Sequence, residues 1–165
     1  SGLLLTCDEH IVDAGGGSGV LAKLILQQFP DITITILERP EIVEIMEDTE
    51  QLRWHAVDIF KPWNIRADVV LCSRILHDWN DQRCLTLLQL AKQSLKPTGR
   101  LLIIEMVLSE GFDGRLSDLH LLISSNGKER TLEEYRSLLD VAGLKIQELR
   151  DTESLVSIIE AEHVG

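Results

Sequence analysis

The chain lacks the features that would send it to a membrane, a nucleic acid or an oxidising compartment. No run among its 165 residues approaches the roughly 18 to 20 consecutive apolar residues of a membrane span. The N-terminus shows no basic stretch leading into an apolar core and cleavage site, so no secretory signal is visible. Positive charge is scarce. Sixteen Lys and Arg stand against 27 Asp and Glu, a net charge of −11, which argues against a phosphate-backbone partner. The three cysteines, Cys7, Cys72 and Cys84, are odd in number and lack Cys-x-x-Cys spacing, the pattern of a reduced, cytoplasmic protein. Internal repeats and low-complexity tracts are absent as well. What remains is 44% hydrophobic and long enough for one domain with a core, residues 1–165.

Short β-like runs alternate with helical ones. Residues 11–14, 32–37, 52–58, 67–72 and 100–108 read as strands, and the nearly all-apolar fourth of these reads as central. Helices are predicted over 18–29, 40–48 and 80–95, with a short one possible over 116–124. Thr131-Leu-Glu-Glu134 is a capping box that opens a helix closed by Gly143. Residues 144–149 and 155–160 are strands without a helix between them, which predicts an antiparallel hairpin at one edge. The sum is an α/β domain with a mostly parallel sheet covered on both faces.

The most informative stretch is IVDAGGGSG, residues 11–19, with four glycines in five positions. A P-loop would need Gly-Lys-Ser/Thr, and Val20 follows Gly19 instead. The dinucleotide pattern GxGxxG fits Gly15 and Gly17, but Val20 takes the place of the third glycine, which weakens an NAD reading. A flexible turn with no ligand is the plain alternative. Asp13, Gly15, Gly17 and Gly19 match Asp-x-Gly-x-Gly-x-Gly at every position. There a side chain at Gly15 or Gly17 would fill space used by a ligand, and the helix start favours a carboxylate. A ligand ending in an amino acid, S-adenosylmethionine, suits it. Glu38 ends the next strand, where a carboxylate can accept both ribose hydroxyls. Asp58 ends the third strand, placed to accept from an adenine amino group while Ile59 packs on the ring.

His77, before Asp78 and Trp79, reads on its own as a packing or helix-capping residue as readily as a catalytic one. Asp78 is as much a cap for the following helix as a catalytic group. Trp54 and Trp63 read as packing. Glu105 resists a bland reading, because an unpaired carboxylate inside an apolar strand is expensive. His77 and His120 together form a possible imidazole pair for iron beside a 2-keto acid, against the plain reading of His120 as a surface or pocket-lining residue.

The set VDAGGGSG, LERP, VDIF, RILHDWND, LLIIEMVL and NGKERT resembles the S-adenosylmethionine-dependent O-methyltransferases of the caffeate, hydroxyindole and bacterial polyketide type. The resemblance runs from Ile11 to about Ala161. It implies a doubly wound, Rossmann-like sheet of seven strands with an antiparallel C-terminal edge, and methyl transfer to a hydroxyl of a small, aromatic molecule, leaving S-adenosylhomocysteine. It places the catalytic base at His77 and its supporting acids at Glu105 and Glu129. Cofactor contacts fall at Asp13, Gly15, Gly17, Glu38, Asp58 and Ile59, with Trp79 beside the adenine. Ser73 stands where plant members carry a cofactor-touching Lys, and Arg74 is adjacent. The segment between Glu105 and the GKERT motif is shorter than the family's usual one. Members carry a helical N-terminal domain that forms a homodimer and closes over the substrate, and nothing here corresponds to it, so the chain is expected to be a piece of a longer protein. Carbon methylation through a His77/His120 metal site, a catalytically silent cofactor-binding module and an NAD-dependent oxidoreductase are the competing expectations.

Overall fold

The computed structural model describes residues 5–108 and 127–164. Runs rich in branched apolar side chains form β1 (His10–Ala14), β2 (Thr33–Glu38), β4 (Ala67–Ser73) and β5 (Leu95–Glu105), and the alternating Leu52 and Trp54 bury one face of β3 (Leu52–Ala56). Between them lie α1 (Val20–Gln28), α2 (Pro40–Val43) and α3 (Asp81–Ser94). Then come β6 (Val107–Leu108), β7 (Arg130–Thr131), α4 (Leu132–Ala142), β8 (Leu144–Asp151) and β9 (Ser157–His163). Seven strands form one sheet in the order β3-β2-β1-β4-β5-β9-β8. The first five are parallel, and β9 runs antiparallel to both β5 and β8. The predicted sheet and its C-terminal hairpin are therefore both present, β9 being the strand that docks the hairpin on β5.

Both faces of the sheet are buried, which is why its central strands are almost uniformly apolar. On one face Val12, Val70, Leu101 and Ile103 pack under Leu87, Leu88 and Ala91 of α3 and Leu139 of α4. On the other Ile11, Ile34, Ile36, Val69 and Leu71 pack under Ala22 and Ile25 of α1. The capping box at Thr131 forms in full: its hydroxyl accepts from Glu134 N, and the Glu134 carboxylate accepts from Thr131 N. No helix among the described residues is long and apolar enough to cross a membrane. The three cysteines are unbonded thiols.

Boundaries differ from the sequence pattern where side chains capture backbone groups. The helix predicted over 40–48 stops at Val43. Asp48 and Thr49 instead accept from Trp54 N and Leu52 N and launch β3, local bonds that compete with a helix. β3 ends at Ala56 because Asp58 Oδ1 accepts from Phe60 N and turns the chain. β5 starts at Leu95, and its register with β4 jumps from Ala67↔Leu95 to Val69↔Arg100. The helix expected over 116–124 and His120 lie outside the described residues.

The neighbours of β1 are β2 and β4, so the strand order reverses there. A crevice opens beyond the carboxyl ends of strands at such a point, where α/β sheets bind ligands. That edge carries the glycine loop after β1, Glu38 at the end of β2, Asp58 after β3, His77 after β4 and Glu105 ending β5.

Candidate active site

The glycine loop is gripped rather than loose. Gly17 N donates to Glu38 Oε2 at 3.2 Å, and the Trp54 indole N–H donates to the Gly17 carbonyl at 3.1 Å. Gly15 has φ +74°, and a Cβ there would meet Ile75 Cδ1 at 2.9 Å. At Gly17 the same atom would meet open space. The bare surface at Gly15 thus allows close packing of the loop on Ile75, and Gly15 rather than Gly17 lines the adjoining cavity. Asp13 is buried beneath the loop, where desolvation, with the Glu38 charge second, pushes its carboxyl up to about 7.

A cavity of about 560 Å³ adjoins this loop, within the range of small-molecule sites. Gly15, Glu38, Asp58, Ile59, Trp79 and Arg83 are among its lining. Phe60 and Trp79 meet edge to face with centroids 4.9 Å apart, and the Arg83 guanidinium stacks 4.5 Å above Phe60. The Trp79 indole nitrogen is buried without a partner among the described residues. Ser73 and Arg74 do not line this cavity. A larger depression of about 910 Å³ includes Arg66, Lys92, Pro97 and His163, at the amino ends of β4 and β5, and holds none of the predicted site residues.

His77 sits in a single 3₁₀ turn, Leu76–Asp78, directly after β4. Glu105, fully buried, fixes that turn: its Oε1 accepts from Leu76 N at 2.9 Å and His77 N at 3.3 Å. Its Oε2 faces His77 Nδ1 at 3.4 Å, and Glu129 Oε1 faces the same nitrogen at 3.6 Å. These are charge contacts rather than formed hydrogen bonds. Glu129 contributes most to raising the ring's pKa, Glu105 and Asp78 add to it, and burial and Arg74 oppose. Burial, in turn, holds the Glu105 carboxyl above its ordinary range. Asp78 does not cap the next helix; Asn80 does, accepting from Arg83 N at 3.0 Å. Asp78 Oδ1 instead faces His77 Nε2 at 3.2 Å.

The other side of the turn is held by Arg130, a residue to which the sequence patterns assign no role. Its buried guanidinium donates to the carbonyls of Leu76 (3.0 Å) and Trp79 (2.8 Å) and to Asp81 Oδ1. Cys84 Sγ adds a bond to the Leu76 carbonyl at 3.2 Å. Gly127 lies so close that a Cβ would fall on the His77 carbonyl. Nothing periodic marks Arg130, because its partners are mostly backbone oxygens. One ligand atom each of His77, Glu105 and Glu129 also lies within 4.8 Å of the others, a spacing that suits a cation. Arg74 already faces both carboxylates, and we assign no metal there.

Residues 5–145 match the model of the O-methyltransferase domain. This chain belongs to the O-methyltransferase family. It is 35% identical over 162 residues to the flavonoid 4'-O-methyltransferase of Glycine max, covering 92% of this chain and 45% of that protein. The solved human N-acetylserotonin methyltransferase, in complex with SAM, superposes with a TM-score of 0.87 at 33% identity, covering 94% of this chain and 48% of that one. An O-methyltransferase from neocarzinostatin biosynthesis, in complex with S-adenosylmethionine and 2-hydroxy-5-methyl naphthoic acid, gives 0.86 at 29% identity, covering 94% and 49%. The O-methyltransferase domain described here spans about half the length of these relatives.

Proposed function

We propose that this domain moves a methyl group from S-adenosylmethionine to a hydroxyl oxygen of a small aromatic molecule, with His77 as general base. The observation that carries this reading is a buried imidazole set against two carboxylates at the sheet edge that also holds the glycine-loop cavity. Gly15, Glu38, Asp58, Ile59 and Trp79 would hold the cofactor, with Asp13 and Gly17 shaping the loop beneath it. Their chemistry fits: acids for ribose and adenine donors, apolar and aromatic walls for the base. When bound, S-adenosylmethionine supplies an electrophilic methyl carbon.

The protein's own share is to position the acceptor and take its proton. Holding reactants in line contributes up to about 7–11 kcal/mol in well-oriented systems. A phenol near pKa 10 facing an ordinary histidine near 6.5 leaves about 5 kcal/mol against proton transfer. The carboxylates beside Nδ1 narrow that gap by favouring imidazolium. Two buried carboxylates beside Nδ1 outweigh the more exposed Asp78 carboxylate beside Nε2, so the proton rests on Nδ1 and Nε2 receives the acceptor's proton.

The half of the relatives' length that this chain does not match is where we place the wall covering the acceptor and the homodimer contact. Calorimetry with S-adenosylhomocysteine and with NAD tests the cofactor: binding of the first and not the second is expected, and the reverse overturns the reading. His77→Ala should leave homocysteine-ligand affinity within a few-fold and cut turnover of hydroxylated aromatics by about 10²–10⁴-fold. Equal turnover in the variant would remove His77 from the chemistry. Retained binding with no turnover of any acceptor by the parent protein would instead favour a silent cofactor-binding module.

A further inference from the structure

Arg74 and His77 compete for the same two oxygens. Arg74 Nη1 lies 3.4 Å from Glu105 Oε2 and its Nη2 lies 3.7 Å from Glu129 Oε1, the atoms that face His77 Nδ1. The backbone is bent to allow it: Arg74 has φ +53°, the left-handed region that non-glycine residues rarely occupy. Its N–H is anchored on the Ile104 carbonyl at 2.9 Å, one residue before Glu105. The guanidinium is thus carried to the acids from the residue after β4, while the acids themselves come from the end of β5 and the residue before β7.

We infer that Arg74 is a positioning residue for the base: by sharing Glu105 and Glu129 with the imidazole, it keeps His77 able to release its proton. The inference rests on His77 being the general base. Without a cation, three carboxylates, Glu105, Glu129 and Asp78, would face one ring and hold its proton over a wider pH range. While the ring keeps that proton it cannot accept one from the substrate.

Among the described residues, the other titratable groups near the acids are neutral or engaged elsewhere. Cys84 of α3 is pushed up to about 11 by burial, and burial likewise drives Cys72 of β4 and Tyr135 of α4 far above their ordinary values. All three stay neutral through the working range. Arg130 of β7 is engaged by Asp81 and by backbone carbonyls.

The test is a titration of the His77 ring by NMR in the ligand-free protein, its signals assigned by their loss in His77→Gln. Arg74→Asn removes the charge and tolerates the left-handed backbone, and Arg74→Lys keeps the charge. The Asn variant should raise the His77 midpoint by about 0.5 to 1 pH unit, the scale of a partly exposed ion pair. The Lys variant should stay near the parent. In a Glu129→Gln background the effect of Arg74→Asn should shrink, because one shared oxygen has lost its charge. The acid limb of the kcat profile should move up with the NMR midpoint in Arg74→Asn. A midpoint that stays put or falls in Arg74→Asn overturns the inference. The midpoint needs no turnover to be read, so a shifted midpoint in a protein whose His77→Ala variant remains active would defeat only the general-base reading.

Discussion

Asp13 is a carboxylate in surroundings that suit it poorly, and its position predicts how stability responds to pH. It is 1% exposed, and its Oδ1 has no partner among the described residues. Its folded value near 7 lies above the ordinary 3.8, so the folded chain holds a proton that the unfolded chain releases. Stability then falls as pH rises from about 4 to about 7, by on the order of 4 kcal/mol at most (7 − 3.8 is about 3, at 1.36 kcal/mol each). His77 acts with the same sign. Its raised value contributes stability below about 6.5 that is lost as pH rises through the folded value. Urea midpoints should therefore be lower at pH 8 than at pH 5 in the parent, and closer together in Asp13→Asn. A parent midpoint independent of pH would refute this. The acid in DAGGGSG is visible in the sequence as a ligand-loop signature, but its discomfort is not, because desolvation depends on what the fold stacks above it.

At the scale of elements, the turn carrying His77 is held from two sides by residues far away in the chain. Glu105 takes its N–H groups and Arg130 takes its carbonyls. The same guanidinium ties Trp79, on the cavity wall, to Asp81 at the start of α3. Arg130→Met should lower stability by about 3 kcal/mol or more, since it leaves buried carbonyls without donors. It should also weaken S-adenosylhomocysteine binding by loosening Trp79. Denaturation and calorimetry on one sample check both, and an unchanged affinity would separate the turn from the cavity wall. The capping box and the N-cap chemistry of α4 were legible because they are local, spanning Thr131 to Glu134. The short α2 was over-read because Asp48 and Thr49 bond into the start of β3, a choice that involves another element.

For the molecule as a whole, the order β3-β2-β1-β4-β5-β9-β8 puts β1, β4 and β5 in the middle and β3 and β8 at the edges. Amide exchange should be slowest in the middle strands, whose residues Val12, Val70 and Ile103 are fully buried, and faster at the edges. Uniform protection across the sheet would contradict that ordering. By itself the sequence determined the order of the main strands and helices, where the glycine loop bends, and that Glu105 needs a partner, because periodicity, glycine spacing and the expense of a buried charge are local properties. Only the tertiary structure decided that Glu105 grips the His77 backbone, that Arg130 holds the other side of the same turn, and that Arg74 meets Glu105 and Glu129. Those contacts join residues dozens of positions apart, and they exist only because parallel strands deliver their carboxyl ends to one edge.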